Sequence, residues 1–383
     1  MSERALPQPG IGHLRLKPGM ARPGNLHSTR QDWLARLAPG RPARELPELA
    51  GRLFSLCGQA QRLCARLALQ AAQGPQAGED LAQDLAQDME ALHEETLREH
   101  LRRILLDWPR QLGMDATPGV EAANALADCP ALRRPGTGLS GLPQWLGQHL
   151  LGQPAERWLR AWELSPATHL RQWSDTHDGW LPRLLNQARA WADQPQAASP
   201  LLPWPDEAGA WALARRLATE HHFSSHPDWQ GCCAETGPWS RRHTPPEHSP
   251  GTPWLRLGAR LAELVRLALP DEAGRSGRGW LQTGQWTIGP NEGLAAVEMA
   301  RGLLVHRVCL SQTRDQAGEQ AQVLGCQVLA PTEWNFHPQG SVAQALEACD
   351  HHDAPDRVQA RVQALICAYD PCVSFEMELP QHA

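Results

Sequence analysis

Thiols and imidazoles are the side chains in this sequence best suited to chemistry, because both bind borderline and soft metals. The chain holds 10 Cys and 17 His. Cys57 and Cys64 lie in a Leu/Ala-rich run, and Cys372 follows Asp370-Pro371 near the C-terminus. A second concentration comprises His221, His222, His226, Cys232, Cys233, His243 and His248, and superficially suggests zinc. Structural zinc sites space their cysteines about two to four residues apart, a geometry that adjacent cysteines do not meet. That stretch is therefore read as an irregular loop. His306 and His337 are read as hydrogen-bonded structural histidines, and Asp350-His351-His352-Asp353 as a solvated turn. The cysteines form no regular framework, so they read as reduced thiols, most of them small buried side chains.

The elements that must position these groups follow from length and periodicity. The 383 residues are 42% hydrophobic and 20% charged, with a net charge of −6. These values fit a folded globular protein and give no basic surface for nucleic acid. Arg dominates the cations, with Lys17 the sole lysine, as a GC-rich coding background would produce. Met1–Gly10 has no apolar core of the kind a secretory leader needs. No apolar run reaches the roughly 18 residues of a membrane helix. A cytoplasmic location is expected.

Residues 1–44 are rich in Gly and Pro, with one strand-like alternation at His13-Leu14-Arg15-Leu16. Helical spacing predicts helices over 46–72 and 79–107, the second ended by Pro109. Further helices are predicted over 121–128, 142–162, 166–173, 177–192, 206–221, 255–269, 341–348 and 355–368. Trp158, Trp162, Trp173, Trp180 and Trp191, among 16 Trp in all, are expected to pack between these helices. After a Gly-rich loop at 274–279, the period shifts towards two over 279–330. Strands are predicted around Trp280–Ile288, Leu304–Val308 and Val323–Leu329. The expected fold is one domain over 1–383, mainly α with a small antiparallel β-sheet. Positions 57, 60 and 64 would share a helix face, but residues seven apart lie about 10 Å apart along the axis. Cys64 therefore sits about one turn beyond position 60 on that face.

Several segments resemble one known family in the same order. Asp370-Pro371-Cys372-Val373-Ser374-Phe375-Glu376-Met377-Glu378 resembles the Asp-Pro-Cys-x-x-Cys-x-x-His motif of nickel–iron hydrogenase large subunits. Gly12-His13-Leu14-Arg15 is similar to the N-terminal strand of that family. Leu56-Cys57-Gly58-Gln59-Ala60 is similar to its first motif, Cys-Gly-x-Cys-x-x-x-His. Glu235-Thr236-Gly237-Pro238-Trp239-Ser240-Arg241, Glu298-Met299-Ala300-Arg301-Gly302 through His306, and Pro331-Thr332-Glu333-Trp334-Asn335 continue the series. The resemblance spans nearly the whole chain and implies a large-subunit-like fold.

The departures from the pattern shape the expected function. In the family, four thiolates hold a nickel–iron centre. Here Cys57 and Cys372 match the first cysteine of each pair, while Ala60 and Phe375 stand at the second. Cys64 and Glu378 occupy the closing histidine positions. Two thiols argue against a nickel site and against catalysis. They suit an iron that already carries cyanide and carbonyl ligands. The pattern resembles the HupK/HoxV-type hydrogenase assembly branch. That resemblance implies a scaffold or carrier for an iron–dicyanide–carbonyl unit, with no enzyme activity of its own. It implies Cys57 and Cys372 as metal ligands, with Cys64 and Glu378 as weaker candidates. It also implies that Arg301, Pro331 and Thr332 face the cyanides, although Arg301 has a competing partner in Glu298, three residues earlier. The implied partners are a HypC/HypD-type maturation complex and an apo hydrogenase large subunit. With Glu378 at the closing position and the sequence stopping at Ala383, nickel-triggered tail cleavage is not expected. Two other readings stand beside this one: a metal-free chaperone that mimics the large subunit, and a diverged active subunit.

Overall fold

The computed structural model describes residues 12–74, 79–113, 117–133, 139, 141–241, 251–269, 279–311, 321–350 and 352–379. Met1–Gly10, His243, His248, His351 and most of the 274–279 loop lie outside them. The described residues begin with strands β1 (His13–Leu16) and β2 (Leu26–Ser28) and helices α1 (Trp33–Leu37), α2 (Leu46–Leu53) and α3 (Gly58–Gln73). The long helix α4 (Glu79–Arg102) runs through a π-helical turn, Arg103–Asp107, into α5 (Trp108–Leu112). Then come α6 (Thr117–Asp128), α7 (Pro130–Arg133), α8 (Leu142–Leu146), α9 (Ala155–Leu164), α10 (Pro166–Thr176), α11 (Trp180–Ala192), α12 (Glu207–Thr219) and α13 (Pro253–Ala268). Strands β3 (Thr283–Gly289), β4 (Glu292–Met299), β5 (Gly302–Leu310) and β6 (Val323–Leu329) precede α14 (Pro331–Asn335), α15 (Ser341–Glu347), α16 (Pro355–Tyr369) and β7 (Ser374–Met377). The chain is thus mainly helical with small sheets.

The structure departs from the sequence reading at several points. The expected 142–162 helix, for one, breaks at Gly152, whose left-handed backbone ends the first part before Pro154 leads into α9. The expected 46–72 helix breaks at a turn, and Cys57 is the N-cap of α3 with φ −146° and ψ 33°. Gly58 permits the break, since a Cβ there would sit 2.6 Å from the Gly51 carbonyl oxygen. Pro109 starts a helix instead of ending one, because the first turn of α5 needs no proline N–H. Strands β2 and β7 are also additional to that reading, and so is β4, which makes the antiparallel sheet four-stranded in the order β3-β4-β5-β6.

Burial explains why β4 escaped the period-two pattern. Ala295 and Val297 face the main helical core, while Leu294 and Ala296 face a second cluster that includes Leu213, Leu217 and Phe223. A strand buried on both faces reads as a continuous apolar run. Helix α3 lies directly on this strand. A Cβ at Gly293 would press into the Ala68 carbonyl oxygen and the Ala72 nitrogen. Gly293→Ala should therefore cost about 1–3 kcal/mol in urea unfolding, the usual range for overpacking. A neutral result would mean that α3 and β4 can separate freely.

The tryptophans pack as expected. Trp158 stacks on Trp162 at 5.9 Å and meets Trp173 edge-on at 5.5 Å. Gly258 of α13 leaves room for the Trp162 ring.

A smaller sheet, in the order β2-β1-β7, joins the two ends of the described chain. Strand β7 runs parallel to β1, with His13 opposite Ser374 and Leu16 opposite Met377. Strand β2 is antiparallel to β1. The residues after β2 and those before β7 therefore emerge at the same end of the sheet. This topology brings Arg30 to Cys372.

Candidate metal-unit site

Cys57 reaches the site from the N-terminus of α3. Its carbonyl starts the helix by accepting from Gln61 N at 3.0 Å. The free N–H groups of the first turn are capped from outside by Glu95 of α4, which accepts from Gln59 N at 2.7 Å and Ala60 N at 3.0 Å. An anion at a helix N-terminus is favourable. Burial nevertheless pushes the Glu95 carboxyl up to about 7, against those two hydrogen bonds. The Cys57 side chain is 5% exposed. Burial, followed by the charge of the Cys372 thiol, pushes the Cys57 thiol up to about 12. The two cysteines thus lie within electrostatic reach of each other.

Cys372 comes from the opposite end of the chain. Helix α16 ends at Asp370, which adopts a left-handed conformation with φ 48° and turns the backbone towards Pro371-Cys372. The Cys372 sulfur accepts from the Thr332 hydroxyl at 3.1 Å, and Cys372 N donates to the same oxygen at 3.3 Å. It also accepts from Arg30 Nη1. Arg30 is held in turn by Glu333 at 2.5 Å. Pro331 opens α14 and so places Thr332 and Glu333 in its first turn.

Arg301 occupies the two-residue turn between β4 and β5 and is 1% exposed. Its Nη2 donates to Glu99 at 2.8 Å, and its Nε lies 3.4 Å from Asp370. Glu298 pairs instead with Arg241 at 3.3 Å, so it is not the partner of Arg301. The Nη1 atom of Arg301 is buried and makes no hydrogen bond. Asp370 also meets Arg103 at 2.8 Å and Arg260 at 3.1 Å. Burial alone would raise its carboxyl, but Arg103, Arg301 and Arg260 together hold it well below the usual carboxylate range.

The motif segments brace one another around this centre. Thr236 N donates to the Asn335 side chain at 2.9 Å, and Asn335 Nδ2 donates back to the Thr236 carbonyl at 2.8 Å. Thr236 Oγ1 accepts from Leu303 N at 2.9 Å. Gly302 lies so close to this threonine that a Cβ would come within 2.6 Å of it. Arg301 and Thr332 are thereby tied to one frame.

The two weaker ligand candidates lie elsewhere. Cys64 faces the sheet, with its sulfur 3.5 Å from the Ala295 carbonyl oxygen and 3.8 Å from that of Leu304. Glu378 is half-exposed and pairs with Arg15 at 3.1 Å and Lys17 at 3.0 Å. Neither is grouped with Cys57 and Cys372. Ala60 is fully buried, and Phe375 packs against the core.

The histidines that the sequence suggested are structural by their contacts. His337 Nδ1 lies 3.1 Å from the Cys233 sulfur and accepts from Gln339 N at 3.0 Å. Among the described residues, no three His, Cys, Asp or Glu side chains form a metal-holding group. His306 Nε2 meets Gln61 Oε1 at 2.7 Å, and Gln61 faces the Cys57 sulfur at 3.9 Å. Burial pushes the His306 ring down to about 3 from its ordinary 6.5. The folded state therefore holds it neutral, while the unfolded chain binds a proton below about 6.5. Stability from this ring is complete above that value and drains as the pH falls towards 3. His306→Gln should remove about 3 kcal/mol of the loss seen at pH 4, measured by urea unfolding across a pH series. An unchanged acid limb would contradict the assignment.

Sequence reasoning missed Arg30, Glu95, Glu99, Arg103, Arg260 and Glu333. The one usable signal was the four-residue spacing of Glu95, Glu99 and Arg103, which places them on one side of the helical run.

No protein-family profile matches the chain. It is 38% identical to the hydrogenase expression/formation protein HoxV of Cupriavidus necator, over 97% of this chain and 96% of that one. It is 32% identical to HupK of Bradyrhizobium diazoefficiens, over 90% and 89%, and 30% identical to HupK of Rhizobium leguminosarum bv. viciae, over 91% and 90%. Among solved structures, the Ni-Fe-Se hydrogenase of Desulfovibrio vulgaris Hildenborough matches with a TM-score of 0.51 at 14% identity, over 91% of this chain and 92% of that one. That likeness establishes a hydrogenase large-subunit fold.

Proposed function

The chain belongs to the family of hydrogenase expression/formation proteins that includes HoxV and HupK, and from that premise we propose that it carries an iron–dicyanide–carbonyl unit during hydrogenase assembly. The observation that carries this reading is a buried Arg301 Nη1 that has no partner, with Cys57 and Cys372 both within its electrostatic reach. An unpaired buried guanidinium N–H is costly and calls for an acceptor. A cyanide nitrogen is such an acceptor, and the iron in the unit offers coordination positions that two thiolates can fill.

In this reading Cys57 and Cys372 anchor the cargo, and Arg301 binds and orients one cyanide through its planar donor fork. Thr332 turns its hydroxyl from the Cys372 sulfur towards the second cyanide, and Pro331 sets the helix start that places it. Asp370 and Glu99 hold the Arg301 guanidinium in place. The core around α3 and β4 excludes water from Cys57. With alanine and phenylalanine at the other two thiolate positions, and with Cys64 and Glu378 engaged elsewhere, the site lacks the donors for nickel. The proposed donor is a HypC/HypD-type complex and the proposed recipient an apo large subunit. Protein purified anaerobically from a host with a full maturation system should carry about one iron per chain and no nickel. Stoichiometric nickel with hydrogen turnover would instead support a diverged enzyme.

The hydrogen bonds that satisfy Cys372 without any metal favour a second reading, a metal-free chaperone. The two readings separate in the host, because a Cys57→Ala/Cys372→Ala protein would still support hydrogenase maturation only if it were a chaperone.

A further inference from the structure

Arg30 has no role in the reading above beyond touching Cys372, yet it is among the most firmly placed side chains in the site. Its side chain is 10% exposed, its Nε is bound by Glu333 at 2.5 Å, and its Nη1 lies against the Cys372 sulfur. Its backbone is fixed as well. Gly12, with φ +96°, lies so close that a Cβ there would come within 2.7 Å of Arg30 Cα. The packing fixes where the side chain starts, and Glu333 holds the guanidinium at its end.

We propose that Arg30 is the specificity-determining residue of this site, barring a bare divalent cation from Cys372 while admitting a metal already wrapped in anionic ligands. The inference rests on the carrier reading and names the class of cargo that the site accepts. A bare cation must approach to about 2.3 Å from a thiolate sulfur. Arg30 lies against that sulfur with like charge, and Arg301 is within electrostatic reach of the same thiol. Among the described residues, no three His, Cys, Asp or Glu side chains form a metal-holding group to offset the repulsion. A metal unit bearing two anions has the opposite character. Its dithiolate form carries net negative charge, which two buried guanidinium groups match, and its outer atoms accept the hydrogen bonds that Arg30 and Arg301 offer.

The test uses Zn2+ alone as the probe, with metal-free full-length protein and a competing chelator. Arg30→Gln removes the charge and keeps a donor for Glu333, while Arg30→Met with Glu333→Gln removes both charges of the pair. Both proteins should bind Zn2+ at least about tenfold more tightly than the wild type. That gain should vanish when Cys372→Ser is added. Arg30→Lys, which keeps the charge, should stay near the wild-type affinity. Cooperative unfolding of each protein confirms that it is folded, and having two independent charge-removing variants protects the test if one of them is not. Equal Zn2+ affinity in the wild type and the charge-removing variants would overturn the proposal, as would a gain in Arg30→Lys equal to theirs. Because Zn2+ uptake needs no iron unit, the result stands or falls separately from the carrier reading.

Discussion

Asp370→Asn should destabilise the protein by about 3–5 kcal/mol, measured by urea unfolding near neutral pH. The carboxylate lies among Arg103, Arg260 and Arg301, all within 3.4 Å. Removing one partner from a buried ionic network costs this much because the remaining charges stay buried and uncompensated. Asn is the informative replacement because it tolerates the left-handed conformation that Asp370 adopts, so the measured loss reports charge and not backbone strain. The pH dependence has a definite sign. The folded carboxyl lies below its unfolded value, so its contribution is present above about pH 4 and is lost as the pH falls. Asp370→Asn should therefore be less sensitive to acid than the wild type. A loss below about 1 kcal/mol would mean that the three guanidinium groups find other partners.

The second large effect concerns the cargo. Cys57→Ala and Cys372→Ala should each lower iron retention by at least about tenfold while costing only about 1–2 kcal/mol of stability. Cys64→Ala supplies the contrast. Its thiol faces the β4–β5 sheet, so its loss should reduce stability and leave iron retention unchanged. If Cys64→Ala emptied the protein of iron and Cys57→Ala did not, the ligand assignment would be wrong.

The legible and illegible parts of the molecule divide along physical lines. Helices with one apolar stripe, such as α11 and α16, were readable from period alone. The break at Cys57 was not, because it depends on the close approach of Gly51 and Gly58, which leaves no trace in local spacing. Strand β4 was hidden by burial on both of its faces. Cys57 and Cys372 came from the resemblance of whole motifs and not from periodicity, since nothing local links positions so far apart. The polar residues around them were the hardest to see. Glu95, Glu99 and Arg103 have the spacing of a solvated helix face, and only tertiary packing turns that stripe inward. Arg30 stands in an irregular segment, and its role depends on β7 pairing in parallel with β1.

Infrared spectroscopy of the anaerobically purified protein, made beside its full maturation machinery, tests the carrier claim most directly. Cyanide and carbonyl stretches absorb in a window free of protein bands. Two cyanide bands and one carbonyl band are expected, all absent from Cys57→Ala/Cys372→Ala protein prepared in the same way. Wild-type protein that is folded, active in supporting maturation and free of these bands would contradict it.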